Sequence, residues 1–255
     1  MMNNDYNIIK EDLSHLGMTY GDTVLIHSSF RSLGYVEGGI KTLLDAILSV
    51  IGDRGTLIAP TLTYRDVSVE NPLFNYLETP SCVGAVSEYI RMHECSKRSI
   101  HPTHSCAVMG MHSEDFVMNH DLDRTPIGVN SPFRKLPLYG GKILMLGCGT
   151  APNTSMHGVE EYVGVPYLLP EKPSVYRIVL PDRSYEIDYF RHHIKQNGYA
   201  QKYSRLMQYL PENTYSRGSI HGSESFLMRA DMVWKTGIDV LRNDPYAFVE
   251  YVGKS

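Results

Sequence analysis

The stretch GDTVLIHSSFRSLGYVEGGIKTLLDAILSVIGDRGTLIAPTL (21–62) contains one complete strand–helix–strand pattern. The apolar run Val24–Phe30 follows a Gly-Asp turn, and Thr56–Leu62 is a second short apolar run. Between them, the apolar residues of Ile40–Ile51 recur at helical spacing on one face, and Gly52 follows the last of them. Two strands joined by an amphipathic helix are typical of an α/β fold.

The same alternation of helix and strand signals continues along the chain. Val83–His93 has helical spacing, and the short apolar runs Ser105–Met111 and Ile143–Gly147 predict two more strands. Further on, Val175–Leu180 and Tyr185–Phe190 flank a Pro-Asp-Arg-Ser turn, which predicts an antiparallel hairpin. We therefore expect a three-layer α/β/α sandwich whose central sheet is mixed because this hairpin joins it.

The rest of the chain shows no sign of a second domain. Gly222–Leu241 is predicted as one long amphipathic segment that ends before an Asn-Asp-Pro sequence. No internal repeat, low-complexity tract or obvious linker interrupts the sequence. We therefore expect residues 1–255 to form a single domain.

Composition and charge exclude several classes of protein. A net charge of −4 provides no basic field for a nucleic-acid backbone, so no nucleic-acid partner is expected. No apolar run approaches the roughly 20 residues of a membrane helix, so no membrane association is expected. The first residues lack the basic region and the apolar region of a signal peptide. The 4 cysteines show no CxxC spacing. We expect a cytoplasmic protein with reduced thiols.

The first candidate site is the hydroxyl-rich stretch HSSFRSLG (27–34), where the first strand ends before a Gly-Gly pair and a helix. Backbone N–H groups and hydroxyls at such a junction can hold a phosphate or an amide, and Arg31 can pair with a phosphate. The alternative is a polar turn that caps the following helix. Neither GxxxxGK[ST] nor GxGxxG occurs in the sequence, so the standard nucleotide-binding motifs are absent.

The second candidate is a pair of histidines, His101 and His104, that brackets a Pro-Thr before a predicted strand. Zinc is one interpretation, because histidine is a common zinc ligand. No third metal ligand occurs at a sequence spacing typical of a zinc site. This favours a loop shaped by Pro102 in which both imidazoles make ordinary hydrogen bonds.

The third candidate is NTSMHGVEE (153–161), where a strand has ended in glycines and a polar cap opens a helix. His157 and Glu160 are three residues apart, so on a helix they share one face. A carboxylate beside an imidazole raises its basicity and fixes its tautomer, as a general base requires. The alternative is a surface pair of little consequence.

Cys148 lies between two glycines directly after a predicted strand. This placement is loosely similar to a nucleophile elbow, but GxSxG itself is absent. A small apolar residue of the core is the alternative role, and an acyl-enzyme mechanism through Cys148 stays open.

Seven stretches, in order over most of the chain, resemble the aminoglycoside 3-N-acetyltransferase family. They are GDTVLIHSSFRSLG (21–34), GTLIAPTLTY (55–64), NPLFNYLETPSCVGAVSEYIR (71–91), RSIHPTHSCAVMG (98–110), TPIGVNSPFRKL (125–136), GGKILMLGCG (140–149) and NTSMHGVEEY (153–162). The C-terminal region resembles the family only loosely.

The resemblance implies a fold distinct from the GNAT acetyltransferases and direct acetyl transfer from acetyl-CoA to an amine, with no metal. It implies His157 as the general base and Glu160 as the group that orients it. Donors near Ser28, Ser29 and Thr154 would stabilise the oxyanion. The residues that the resemblance places along CoA are Ser28, Ser29, Phe30, Arg31, Ser32, Leu33, Gly34, His101, Ser105, Ser131 and Thr154.

The implied acceptor is the 3-amino group of an aminoglycoside, and the expected partner is thus a small-molecule amine. We expect Tyr64, Asp66, Glu78 and Glu161 to contact it. Residues 189–210 match no motif and carry bases and aromatics rather than the carboxylates expected around a polycation. Another small amine or amino-sugar as acceptor, a monomer or a homodimer, and a non-catalytic CoA-binding module remain open.

Overall fold

The computed structural model describes residues 3–253. The helices are α1 (Asn4–His15), α2 (Gly39–Ile51), α3 (Ala85–Arg91), α4 (Ser113–Val117), α5 (Pro132–Lys135), α6 (Ser155–Val163) and α7 (Ala230–Asn243). The strands are β1 (Thr23–Ser28), β2 (Thr56–Pro60), β3 (Leu73–Asn75), β4 (Lys97–Arg98), β5 (Cys106–Gly110), β6 (Lys142–Leu146), β7 (Ser174–Val179), β8 (Ser184–Tyr189), β9 (Tyr199–Gln201), β10 (Tyr215–Ile220), β11 (Ser223–Arg229) and β12 (Val249–Tyr251).

The central sheet has seven strands in the order β10-β11-β6-β1-β2-β5-β4. Its three middle strands, β6, β1 and β2, are parallel, with Leu25 beside both Ile58 and Ile143. The outer strands run antiparallel to their neighbours. The carboxyl ends of the three parallel strands therefore meet at one edge of the sheet, where α/β proteins bind ligands.

Both faces of the sheet are covered by helices, because side chains alternate across each strand. One face belongs to a buried cluster that includes Leu25, Ile58 and Ile143 with Phe133, Val159 and Val233 from α5, α6 and α7. The other face belongs to a cluster that includes Val24, Leu57 and Leu144 with Ile9, Leu43 and Ile90 from α1, α2 and α3. The predicted three-layer α/β/α sandwich with a mixed sheet is confirmed.

The predicted hairpin forms, but it lies outside the central sheet. β7 and β8 pair antiparallel and join β3 in a separate three-stranded sheet. The central sheet is mixed because β5 and β11 run antiparallel to β2 and β6. The expectation that the hairpin makes the central sheet mixed was therefore wrong.

The predicted amphipathic segment Gly222–Leu241 is two elements, β11 and α7. His221 and Gly222 both have positive φ, 47° and 78°, and join β10 to β11 in a two-residue turn. Serines at buried positions of β11 hide the strand pattern, since Ser223 and Ser225 are buried while Glu224 between them is exposed. One long segment was therefore the wrong interpretation.

Residues 189–210, which match no motif, begin at the end of β8 and include one strand of a small separate sheet. β9 pairs with β12 in a two-stranded ribbon, and a 3-10 helix follows at Tyr203–Gln208.

Within residues 3–253, no helix combines the length and the apolar character that crossing a membrane requires.

Candidate active site

A cavity of about 450 Å³ opens at the carboxyl ends of β1, β2 and β6. Its walls come from the ends of β1 and β2, the loop 148–154, the first turn of α6 and residues 191–203. This volume lies in the range of small-molecule sites. The position agrees with the switch-point rule for open α/β sheets.

His157 and Glu160 lie on one face of α6, and His157 lines the cavity. Nδ1 of His157 is 3.3 Å from Oε2 of Glu160. The imidazole side chain is 14% exposed and lines the cavity, whereas the carboxyl side chain is 0% exposed. The spacing of three residues thus brings the predicted pair together, with the histidine toward the ligand space.

Two tyrosine hydroxyls hold the Glu160 carboxyl from behind. Tyr167 donates to Oε1 at 2.7 Å, and Tyr203 donates to Oε2 at 2.6 Å. Burial, followed by the neighbouring Glu160, raises the pKa of both phenols, so both stay protonated and act as donors. Glu160 is therefore an acceptor whose two oxygens are both occupied.

The same contacts assign the tautomer of His157. The Tyr203 hydroxyl has one hydrogen, which goes to Glu160, so its oxygen accepts from Nδ1 of His157 at 2.8 Å. Nδ1 therefore carries the ring proton, and the lone pair is on Nε2. The amide of Gln201 lies 3.3 Å from Nε2 and donates to it in the absence of a ligand.

A second histidine–glutamate pair lies beside the first. Nε2 of His192 is 2.8 Å from Oε1 of Glu161, and the His192 ring centroid is 4.4 Å from that of His157. Burial raises the pKa of Glu161 to about 7 and lowers that of His192 well below its usual value. His104 packs edge-on against both imidazoles. Three imidazoles thus line one end of the cavity.

The stretch expected along CoA is only partly at the cavity. Ser28 and Thr154 line it. Ser29, Phe30, Arg31, Ser32 and Gly34 lead away from it through a 3-10 turn, and Leu33 is 4% exposed in the core beneath α2. A Cβ on Gly147 would lie 1.8 Å from Oγ of Ser32, so only glycine lets this turn pack on the end of β6.

Three other residues expected at CoA lie behind the cavity wall. His101, Ser105 and Ser131 are each 0% exposed. Nδ1 of His101 accepts the backbone N–H of His104 at 2.8 Å, and Oγ of Ser105 donates to the Thr61 carbonyl at 2.8 Å. His101 and Ser105 hold the loop around residue 102, Ser131 precedes α5, and none of the three lines the cavity.

Of the four residues expected at the acceptor, only one lines the cavity. Tyr64 lines the cavity and is 40% exposed. Glu161 lies one layer behind, bound to His192 and to the backbone N–H of Ile127. Asp66 and Glu78 are exposed outside the cavity, and Glu78 accepts from Asn75. Neither of these two exposed carboxylates faces the ligand space.

The histidine pair considered for zinc does not form a metal cluster. His101 and His104 pack edge to face with ring centroids 6.1 Å apart. Within residues 3–253, no group of three or more His, Cys, Asp and Glu side chains is arranged to hold a metal ion. The alternative of a loop with hydrogen-bonded imidazoles describes this pair.

Cys148 lines the cavity but lacks the surroundings of a nucleophile. Burial raises the pKa of its thiol to about 11, so the thiol stays protonated at neutral pH. Its Sγ contacts the carbonyl of Gly149 at 3.5 Å, and no imidazole in the described part of the chain hydrogen-bonds to it. The geometry disfavours an acyl-enzyme at this residue.

The sequence interpretation missed the residues that cover the site. Tyr203, Gln201, His192 and Arg191 all come from the unassigned stretch 189–210, and all line the cavity. Its bases and aromatics were a visible signal, but no spacing rule connects Tyr203 to His157 across 46 residues.

A sequence model of the aminoglycoside 3-N-acetyltransferase family matches residues 25–242. The chain is 31% identical over 179 residues to the SPbeta prophage-derived aminoglycoside N(3')-acetyltransferase-like protein YokD of Bacillus subtilis (strain 168), covering 62% of this chain and 65% of that protein. It is 31% identical over 175 residues to aminoglycoside N(3)-acetyltransferase VII of Streptomyces paromomycinus, covering 62% and 60%. The chain thus aligns with less than two thirds of the length of either relative.

Solved structures extend the likeness to the fold. Aminoglycoside acetyltransferase AAC(3)-IVa, as a histidine-to-alanine variant in complex with a gentamicin, has a TM-score of 0.82 at 26% identity, covering 95% of this chain and 90% of that one. The YokD protein from Bacillus subtilis has a TM-score of 0.82 at 23% identity, covering 94% of each chain. With the family match over most of its length, the chain belongs to the aminoglycoside 3-N-acetyltransferase family.

Proposed function

We propose that this protein transfers the acetyl group of acetyl-CoA to an amino group, with His157 as general base. The observation that carries the proposal is the hydrogen bonding of His157. Nδ1 is held by Tyr203 and Glu160, which leaves the Nε2 lone pair directed to the cavity. A base oriented in this way is what removal of a proton from an amine requires.

The proposed reaction is a direct transfer. An amine nitrogen attacks the acetyl carbonyl, its proton goes to Nε2 of His157, and the C–S bond breaks to release the CoA thiolate. The imidazolium that forms is stabilised through Nδ1 by the Tyr203 hydroxyl and the Glu160 carboxyl. The proton then passes to the thiolate or to solvent, so no acyl-enzyme is needed.

The donor is proposed from the family and from the residues at the cavity mouth. One structure of the same fold is AAC-IIIb binary with CoASH, at 22% identity. In this chain, Ser28 and Thr154 line the cavity at the ends of β1 and of the loop before α6. Their hydroxyls and nearby backbone N–H groups are suited to hold the thioester oxygen as negative charge develops on it.

The acceptor that the relatives favour is an aminoglycoside, at its 3-amino group. AAC(3)-IVa, at 26% identity, has been solved with a gentamicin and with apramycin. We propose that residues 1–255 carry the acetyl transfer as one domain.

The test is release of the CoA thiol from acetyl-CoA in the presence of a panel of aminoglycosides and amino-sugars, with mass spectrometry of the product. His157→Ala should abolish acetylation and leave the Kd of acetyl-CoA within about threefold, because Nε2 serves the acceptor proton and not the donor. His15→Ala, at an exposed residue of α1, is the matched control. Normal turnover in His157→Ala combined with lost CoA affinity would reject the role of this residue.

A further inference from the structure

The fixed charges on the cavity wall are positive. Arg191 and Lys195 both line the cavity, and no aspartate or glutamate is among its lining residues. The remaining titratable side chains on the wall are histidines, tyrosines and one cysteine. A ligand in this space therefore meets two cationic groups and no exposed carboxylate.

The buried imidazoles do not change this balance. Burial lowers the pKa of His27 to about 4 and lowers the pKa of His104 and His192 well below the usual value. These three rings are neutral at pH 7. Arg191 and Lys195 therefore set the charge of the wall.

The two nearest carboxyl groups are already engaged behind the wall. Glu160 is 0% exposed and accepts from Tyr167 and Tyr203. The Glu161 side chain is 5% exposed and is bound to His192. Neither group can pair with an ammonium of a ligand without breaking these contacts.

Neither cation is paired with a carboxylate in the part of the chain that the structure describes. Among the pairs formed within residues 3–253, no salt bridge includes Arg191 or Lys195. Nη2 of Arg191 donates to the Tyr64 carbonyl at 2.9 Å, which fixes the guanidinium beside a residue of the cavity wall. Glu70 nearby is exposed and accepts from Ser68.

The contact between Arg191 and Tyr64 places this charge on the side of the cavity formed after β2. The residues expected at the donor, Ser28 and Thr154, follow β1 and β6 instead. His157 also lines this cavity. Arg191 thus lies at Tyr64, a residue expected at the acceptor, rather than beside Ser28 and Thr154, and Lys195 lines the same cavity.

We propose that the acceptor is an amine that also carries a phosphate or a carboxylate, and that Arg191 and Lys195 bind this anionic group. The inference rests on the proposed acetyl transfer and changes the acceptor from the polycation that the relatives favour. A polycation in this cavity would face uncompensated like charge, whereas an anionic group makes charge-assisted hydrogen bonds to a guanidinium and an ammonium.

Three acceptors with one amine in common test this directly. Glucosamine, glucosaminuronic acid and glucosamine 6-phosphate differ at C6, which carries a hydroxyl, a carboxylate or a phosphate. Gentamicin serves as the polycation. With saturating acetyl-CoA, kcat/KM should be at least about tenfold higher for one of the two anionic sugars than for glucosamine and for gentamicin. The two anionic arms identify which group is preferred.

The variants Arg191→Gln and Lys195→Gln remove each charge separately. Each should lower kcat/KM for the preferred anionic sugar about tenfold and leave that for glucosamine within about twofold. A merely structural effect of the substitution would lower kcat/KM equally for the anionic sugar and for glucosamine. Lys195 is exposed, so its variant should fold even if Arg191→Gln does not. Arg54→Gln, exposed near the amino end of β2 and far from the cavity, is the matched control.

Three results would overturn the proposal. They are a preference for gentamicin that grows when either charge is removed, no preference for an anionic group at C6, or a rise in KM for acetyl-CoA that is equal for all acceptors. The last result would mean that these side chains hold the CoA phosphates.

Calorimetric titration of the CoA-bound protein separates this proposal from the proposed activity. If no amine is acetylated, acetyl transfer is rejected. Tighter binding of an anionic sugar than of glucosamine, lost in Lys195→Gln, would still support the anion subsite. Equal binding of the three sugars would reject it.

Discussion

The hydroxyl oxygen of Tyr203 lies 2.8 Å from Nδ1 of His157, closer than the carboxyl oxygen of Glu160 at 3.3 Å. Because the same hydroxyl donates to Glu160 at 2.6 Å, the imidazole reaches the carboxyl chiefly through a phenol. The orientation of the proposed base therefore depends on a residue from the cover of the cavity as well as on its own helix.

Tyr203→Phe removes that hydroxyl and keeps the ring that packs on His157. We expect kcat to fall about 10- to 100-fold with little change in KM for acetyl-CoA, because only the orientation and charge support of the base are lost. Steady-state kinetics with the acceptor that gives the highest turnover measures this. Tyr209→Phe, at a half-exposed tyrosine outside the cavity, should leave kcat unchanged. An unaltered kcat in Tyr203→Phe would mean that Glu160 orients His157 alone.

Glu160→Gln tests how much the two tyrosine hydrogen bonds to the Glu160 carboxyl contribute to stability and turnover. The amide nitrogen of glutamine would face an O–H donor in a site with 0% exposure. We expect a loss of about 1–3 kcal/mol in the free energy of unfolding, together with a lower kcat. Urea unfolding measures the first and thiol release the second. Glu171→Gln, on an exposed loop, provides the baseline. Unchanged stability would mean that the glutamine amide satisfies the two tyrosine hydroxyls as well as the carboxyl does.

Local patterns predicted those parts of the fold that depend on neighbours in sequence. Helical spacing located α2, and its end at Gly52 has the positive φ, 65°, of a glycine cap. The three-residue spacing of His157 and Glu160 predicted one face of α6, and the pair is in contact. The strand β11 was harder to predict, because its sequence SESFLMR places three polar residues before three apolar ones and so lacks the polar–apolar alternation of a strand.

Contacts between residues far apart in the sequence could not be predicted from local sequence patterns. Tyr203 meets His157 only because β9 pairs with β12 and sets residues 199–203 over the cavity. Likewise, Arg191 contacts Tyr64 across 127 residues. Composition showed that residues 189–210 carry bases and aromatics, and their role as a wall of the site depends on tertiary packing.

Cys148→Ser separates direct transfer from an acyl-enzyme. With a thiol pKa of about 11, almost none of the thiol is ionised at pH 7.5. We expect kcat/KM in the variant to stay within roughly threefold of the wild type, and iodoacetamide to inactivate the wild type slowly. Mass spectrometry of the protein after incubation with acetyl-CoA should show no added acetyl group at this residue. A trapped thioester there would establish a covalent route instead.

Acid should destabilise the protein partly through His27. Burial lowers the pKa of this imidazole from 6.5 to about 4, and its Nε2 has no hydrogen-bond partner within the described residues. Between these two values the unfolded chain binds a proton that the folded chain does not. The free energy of unfolding is therefore highest above pH 6.5 and falls as the pH falls toward 4, by about 2 kcal/mol for this group at pH 5.

His27→Gln removes this contribution because glutamine does not titrate. Urea unfolding at pH 7.5 and pH 5 should give a difference in unfolding free energy that is about 2 kcal/mol smaller in the variant than in the wild type. His15→Gln, at an exposed position of α1, should keep the wild-type difference. His101, whose pKa burial lowers to about 3, maintains part of the acid sensitivity in every variant. An identical pH difference in His27→Gln and the wild type would show that the pKa of His27 is the same in the folded and the unfolded chain.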